Sequence, residues 1–441
     1  MVLAIIGMSP PRLLVVSFAA LILIGTLLLS TPWAVRDGQV DFMTALFTAT
    51  SATCITGLVV VDTATHWTTF GHLVIMVLIQ VGGLGVMAFA TFFAFLFGWK
   101  IQLSQRLAMQ QAMNYSALGG VVRIFRYLLL TTFAIEAIAA LILAIRWFPS
   151  YGVGKALWFG LFHSVSAFNN AGFDLFGNFH SLMAFTTDVT VNLTFSTLFI
   201  AGGLGFIVLY EVFRYRQDHI LSLHSKVVLV TTAILIFGGS AIIFITEYHH
   251  ALQGLPLWGK IMAAYFQTSS ARTAGFVTVD LNSFFLSSQM LMIILMFIGG
   301  SPGSTAGGIK TSTFALLWIA ILSRLRGKRD NEIFERRIPS SDMFTALTIV
   351  LMYVMTLIIM SFLFILTHQQ DFLPVIFEIV SALGTVGLSL GLTTSHTVLE
   401  QLLVIVTMFL GRVGPLTLGF ALAYKRSQPF IRYPEGKIMV G

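Results

Sequence analysis

The chain has 441 residues, 57% hydrophobic and 10% charged, with a mean hydropathy of +0.90; soluble domains carry roughly 25% charged residues, so an ordinary soluble enzyme is excluded and a bilayer is the expected solvent. The formal net charge of +7 is clustered rather than spread, which reads as a topology signal and argues against nucleic-acid binding. A single cysteine, Cys54, excludes an internal disulfide and any cysteine-based zinc site.

Leu13 to Leu29 is an uncharged apolar run behind Arg12 with no A-x-A cleavage pattern after it, and it reads as a first membrane segment rather than a signal peptide. Runs of this first kind recur at about 127 to 145, 227 to 246 and 344 to 366, and a second kind lies at about 71 to 97, 189 to 213, 289 to 322 and 399 to 424. Between them sit segments too short to cross, at about 41 to 53, 156 to 168, 261 to 271 and 373 to 384, lengths that suit re-entrant half-helices buried in protein or lining water. Of 25 Lys and Arg, 18 fall at Arg12, within 100 to 126, 214 to 226 and 324 to 337, or after 424. Those segments and both termini are therefore expected in the cytoplasm. The connections on the other side are rich in acids, among them Asp62, Asp174 and Asp280, an entrance that attracts cations.

Each short segment ends in a related phrase: SATCITGL (51 to 58), SAFNNAGF (166 to 173), SSARTAGF (269 to 276) and SALGTVGL (381 to 388). Aligning Gly57, Gly172, Gly275 and Gly387 puts Ser51, Ser166, Ser269 and Ser381 six residues earlier each time. About 24 to 30 residues later follow GGLG (82 to 85), GGLG (202 to 205), GGSPG (299 to 303) and GRVG (411 to 414). The expected fold class is an all-α polytopic membrane protein of four pseudo-fourfold repeats, each a helix, a pore half-helix and a helix, as in a potassium channel. The repeats divide at 1–98, 99–216, 217–337 and 338–424, with a cytoplasmic tail at 425–441. Glycine at a half-helix end lets carbonyl oxygens turn inward, and rings of carbonyls replace a cation's hydration shell. Packing of small residues alone explains neither the phased serines nor the short segments.

The stretch GGSPGSTAGGIKT (299 to 311) resembles a phosphate loop, but Ile309 separates Gly308 from Lys310 and Thr311, where a P-loop lysine follows its glycine directly. Pro302 and glycines 299, 300, 303, 307 and 308 instead predict a loop that breaks the helix at membrane depth.

The four filter phrases together with GGSPGSTAGGIKT and LGRVGPLT resemble the Trk/Ktr/HKT superfamily of potassium transporters over essentially the whole chain, most closely the KtrB-type pore-forming subunits of bacterial Ktr systems. The resemblance implies a potassium uptake pore in the bacterial cell membrane, driven by membrane potential, with one glycine per repeat in its filter. The matching filter positions are Cys54, Ile55, Thr56 and Gly57; Asn170, Ala171 and Gly172; Thr273, Ala274 and Gly275; Thr385, Val386 and Gly387. Some relatives carry serine in the first filter position, associated with sodium transport, and this chain has Gly57. The resemblance also implies that Gly299, Gly300, Ser301, Pro302, Gly303, Ser304, Thr305, Ala306, Gly307 and Gly308 form a gate below the filter. It further implies a homodimer docked on a cytoplasmic KtrA-type ring that binds adenine nucleotides, since no nucleotide-binding domain follows Tyr424. Sodium stimulates some Ktr systems. No cofactor is expected, and K+ enters as cargo.

Arg412 stands where repeats one and two have Gly83 and Gly203, and a guanidinium inside a span marks function. The expectation is that it reaches loop carbonyls at 300 to 308, narrows the pore and anchors the loop. Lys310 either caps the loop or snorkels. Arg272 is expected behind the filter, facing an acid such as Glu378; Glu136 is a second buried acid, Glu378 reads as support of the filter wall, and Asn169 and Asn170 as braces of the second turn. The basic stretch at 323 to 337 is either a contact surface for the regulatory ring or ordinary cytoplasmic retention. No H-E-x-x-H or G-x-S-x-G pattern is present, so no enzyme is expected. The alternative function is an alternating-access cation symporter, which the fourfold phasing disfavours.

Overall fold

The computed structural model describes residues 10–85, 121–328, 330–367 and 371–422. In chain order, α1 (Pro10–Leu29), the short α2 (Phe42–Thr53) and α3 (Thr69–Leu84) come first. Next are α4 (Val121–Tyr151), the short α5 (Val153–Phe168), α6 (Val189–Leu204) and α7 (Phe206–Asp218). The third set is α8 (Leu223–Glu247), the short α9 (Leu257–Ser270), α10 (Leu286–Phe297) and α11 (Thr311–Leu325). The last is α12 (Ser340–Thr367), the short α13 (Phe372–Gly384), α14 (Val398–Val413) and α15 (Pro415–Leu422).

Among the described residues α1, α4, α8 and α12 are long and apolar enough to cross a membrane alone. Their outward faces leave Leu27, Ile145, Phe237, Ile245 and Leu366 exposed, an apolar coat that water would penalise and a bilayer does not. The short helices have 12, 16, 14 and 13 residues, too few for a span. They lie inside the bundle, where Ser51, Ser166, Phe266 and Ser381 are at most 0% exposed, so their backbone ends are sheltered by protein as the bilayer requires.

The second spans differ from expectation. The runs expected to be continuous at 189 to 213 and 399 to 424 are both broken, as the third one is. α6 and α7 meet at 106° across Gly205, and α14 stops at Gly414. Gly85, Gly205 and Gly414 hold φ of 86°, 92° and 88°, a positive-φ conformation open to glycine that ends a helix. The loop at 299–311 is therefore not an isolated interruption but an enlarged version of a break found at the same place in repeats two and four, and the described helix of repeat one ends at the matching glycine, Gly85. The half of the first of these spans beyond residue 85, and the 425–441 tail, lie outside the described residues.

The all-α class holds, with one small hairpin added among the described residues. Asn331–Ile333 (β1) and Arg336–Ile338 (β2) pair antiparallel with Ile333 opposite Arg336. Phe334 and Glu335 turn at φ of 49° and 60°, positive at both central positions as a tight hairpin needs. This hairpin lies in the basic stretch that the sequence left open as either a contact surface or ordinary cytoplasmic retention, and its ion pairs Lys328–Glu332 and Arg337–Asp330, each 3.0 Å, are solvent-exposed and weak.

Candidate functional site

The C-termini of α2, α5, α9 and α13 run directly into four turns. In each, the residue two before the glycine is left-handed: Ile55, Asn170, Thr273 and Thr385 at φ of 53°, 58°, 80° and 52°. The glycines follow with φ of 87°, 71°, 78° and 89°. Thr56, Ala171, Ala274 and Val386 between them keep the ordinary hand, and this alternation brings successive carbonyls toward one side. Ile55, Thr273 and Thr385 are β-branched, so each left-handed turn stores about 1–2 kcal/mol of strain.

The four turns close on one another. A β-carbon at Gly57 would stand 2.5 Å from the Ala171 carbonyl oxygen, and one at Gly172 3.2 Å from that of Ala274. One at Gly275 would meet the Val386 oxygen and one at Gly387 the Thr56 oxygen. Repeat one thus touches two, two touches three, three touches four, and four returns to one. Glycine is required here because any side chain would enter the ring.

The phased serines hold these turns in two ways. Ser51 Oγ and Ser381 Oγ accept from the Gly57 and Gly387 amides at 3.1 and 3.0 Å. Ser166 Oγ instead donates to the Phe173 carbonyl at 2.7 Å. In repeat three the equivalent bond, to Phe276 O at 2.6 Å, comes from Ser270. This corrects the alignment that chose Ser269: the amide of Ala274 reaches back to Ser270 rather than across five residues as in the other repeats, so the third turn is wound one residue tighter.

Above the ring opens a cavity of about 370 Å³ whose lining includes all four glycines with Asp62, Asp174 and Asp280. Burial in the cavity wall pushes the Asp174 carboxyl up to about 6, opposed by the hydrogen bond from the Phe176 amide and reinforced by Asp62. The vestibule therefore loses a negative charge as pH falls through about 6. Cation capture should weaken about threefold between pH 7.5 and 5, read as a rise in the half-saturating concentration of uptake, and Asp174→Asn should make that constant high and insensitive to pH.

Below the ring lies the loop at 299–311. Its neck is closed by an Ile298–Ile309 bridge and by the Thr311 amide on Gly300 O at 2.9 Å. Gly307 packs directly under the fourth turn, where a β-carbon would overlap Thr385 Oγ1. Helix breaks leave carbonyls without helical partners, and the loop and its neighbours supply them. The amides of Ser301 and Thr305 donate to Gly203 O and Gly202 O at 2.9 and 3.2 Å, and the Phe206 amide to Gly303 O at 2.9 Å. Arg412 donates through Nη1 to Thr305 O at 2.5 Å and through Nη2 to Gly82 O and Gly83 O at 2.5 and 3.1 Å. Tyr353 Oη, in the middle of α12, lies 3.4 Å from Gly308 O and 3.3 Å from Gly411 O. The loop is in this way joined to the broken ends of α3, α6 and α14.

Arg412 meets a loop carbonyl as expected, but its bonds to repeat one were missed, although counting unsatisfied carbonyls at GGLG would have pointed to them. Tyr353 was missed too, and a lone hydroxyl in an apolar run is a faint signal. Arg272 does not face Glu378. Its Nη2 donates to Gly299 O and Thr311 Oγ1, both at 3.1 Å, pinning the two sides of the loop's neck; the side chain leaves the start of its turn toward the loop. Glu378 instead accepts from hydroxyls of its own repeat. Lys310 Nζ donates to Ala306 O at 2.7 Å, closing the loop on itself rather than snorkelling. Asn170 braces two repeats, donating to Thr273 Oγ1 at 3.1 Å and accepting from Thr305 Oγ1 at 3.2 Å. Asn169 turns away to Gln80 and Glu136 at 2.8 and 3.1 Å. Among the described residues no three His, Cys, Asp or Glu side chains converge as a metal site.

These features define a polytopic membrane protein built around one axis of four inward turns. The family described as cation transport protein, TrkH, matches residues 12–432, and the chain belongs to it. The chain is 42% identical to the Ktr system potassium uptake protein B of Bacillus subtilis (strain 168), covering 98% of this chain and 97% of that protein. It is 38% identical to the potassium/sodium uptake protein NtpJ of Enterococcus hirae, over 98% of each. Its fold is similar to the crystal structure of the potassium transporter TrkH from Vibrio parahaemolyticus, with a TM-score of 0.74 at 18% identity, covering 93% of this chain and 84% of that one.

Proposed function

We propose that this chain is the pore-forming subunit of a potassium uptake system. The observation that carries the reading is the closed ring of four glycine turns, set between an acidic vestibule and a docked loop. Carbonyls at 54–56, 170–171, 273–274 and 385–386 substitute for the water around K+, weakly enough to let it pass. The loop at 299–311 is the gate, with Arg412, Arg272 and Tyr353 as its fastenings. Uptake is driven by the membrane potential and the cation gradient and is open to stimulation by sodium. The relatives' names as Ktr system proteins support a separate partner subunit; in our reading the chain is a homodimer in the bacterial cell membrane with both termini cytoplasmic, and that partner is an adenine-nucleotide-binding ring. The hairpin at 331–338 is a contact surface for that ring. The four-membered ring, where two inverted halves would be needed, weighs against alternating access.

The test is Gly57→Ser, measured as potassium-dependent growth of uptake-deficient cells and as K+ against Na+ flux. Its β-carbon would press on the Ala171 oxygen, and the K+/Na+ ratio should fall about tenfold or more. An unaltered ratio in well-inserted protein removes the filter assignment.

A further inference from the structure

Counting three residues back from the serine that binds each filter turn gives Thr48, His163, Gln267 and Glu378, from Ser51, Ser166, Ser270 and Ser381 respectively. All four are buried in the pore helices. In three repeats this side chain crosses from its helix to the chain just beyond the filter glycine. His163 Nε2 accepts from the Leu175 amide at 3.1 Å, while its Nδ1 lies 2.7 Å from the Phe159 carbonyl. A carbonyl can only accept and an amide can only donate, so the proton sits on Nδ1. Gln267 Oε1 accepts from the Thr278 amide at 3.3 Å; Leu175 and Thr278 each lie three residues after their glycine. Glu378 accepts from Ser389 Oγ at 2.7 Å and Thr393 Oγ1 at 2.5 Å, on the same stretch of repeat four. Thr48 is too short to make this crossing, and its hydroxyl has no hydrogen-bond partner among the described residues.

We propose that His163, Gln267 and Glu378 are positioning struts that determine ion specificity. Each fixes the distance between a pore helix and the strand leaving the filter, and so sets the width of the carbonyl ring. An imidazole, an amide and a carboxylate share neither charge nor shape. What they have in common is an acceptor atom at the end of a long side chain, which filling a core would not require. Because the four turns pack on one another in a closed circuit, loosening one strand changes carbonyl positions around the whole ring. Discrimination between cations depends on the size of that ring or on the number and field of its dipoles, and both are set by where the carbonyls are held. Repeat one, without a strut, is the internal control. The proposal rests on the filter reading given above.

The experiment compares initial K+ and Na+ uptake by the full chain in proteoliposomes, together with its membrane abundance. Gln267→Ala, Glu378→Ala and His163→Ala should each lower the K+/Na+ ratio about tenfold, the scale of one lost hydrogen bond. His163→Gln and Glu378→Gln keep an acceptor and should stay within about twofold of the parent, as should Thr48→Ala. The proposal is overturned if the alanine variants at 267 and 378 assemble normally with unchanged ratio, or if Thr48→Ala lowers it equally. If an alanine variant fails to assemble, the others and the acceptor-retaining pair decide the matter, since a purely structural role would alter abundance without moving the ratio. Gly57→Ser in parallel separates the two readings. No effect there removes filter and struts together, whereas an effect there without one at 267 and 378 removes the struts alone.

Discussion

Arg412→Ser should raise cation flux about tenfold or more while leaving the K+/Na+ ratio intact. The guanidinium joins Thr305 O of the loop to Gly82 O and Gly83 O at the broken end of α3. Hydrogen bonds from a charged donor contribute about 1.5–3 kcal/mol each, so losing the bond to the loop moves its closed-to-open balance by at least about tenfold. Removing a positive charge bonded to the loop also lowers the repulsion that a cation passing the loop would meet. Because the filter turns do not contact Arg412 through any described hydrogen bond, their selectivity should survive. Wild-type flux from a well-folded Arg412→Ser protein would show that the arginine only ties helices together. Arg412→Lys should behave like the serine variant as far as the loop is concerned, since one ammonium cannot serve the two carbonyl sets that the planar fork spans.

Deleting the tip of the loop, Pro302 to Thr305, is the second large effect. The Ile298–Ile309 bridge and the bond between Thr311 and Gly300 close the neck independently of the tip, and Arg272 pins it from above. The flanking helices should therefore keep their places. Four of the loop's fastenings go with the tip: Thr305 N and Oγ1, Thr305 O to Arg412, and Gly303 O to the Phe206 amide. The expected result, in single-channel or vesicle measurements, is flux raised by about tenfold or more. An equally closed pore would mean that the loop fills space and that another constriction limits flow.

The ring of four glycine turns was legible in the sequence because its geometry admits almost no alternative. Four positions need a residue without a side chain, both for the left-handed turn and for the neighbour's oxygen, and Gly57, Gly172, Gly275 and Gly387 recur in phase for that reason. The half-helices were legible through their length. What escaped was whatever depends on a single residue of winding or on contacts across repeats. Ser269 and Ser270 are adjacent and identical, and only the tighter third turn decides between them. GGLG reads equally well as a packing surface or a helix end, and the choice depends on Thr53 O and Phe168 O, which press against Gly82 and Gly202 and leave no room for a side chain. Arg272 looked odd beside a cation filter because its sequence neighbours are filter residues, whereas its partners lie 27 and 39 residues away. Sequence offers a charge in such a case, and the fold supplies the reason for it.

The carbonyls at the helix breaks have a further consequence for timing. In the closed arrangement we propose, Gly202 O and Gly203 O accept from the loop's own Thr305 and Ser301 amides, while Gly82 O, Gly83 O and Gly411 O accept from the fastenings Arg412 and Tyr353. On that gating, withdrawal of the loop frees Gly202 O and Gly203 O, which can then ligate a partly dehydrated cation. Ion and loop then compete for one set of acceptors, so a departing ion acts as a foot in the door. Closure should slow as internal potassium rises, making the rate of shutting itself a measure of the concentration already achieved inside.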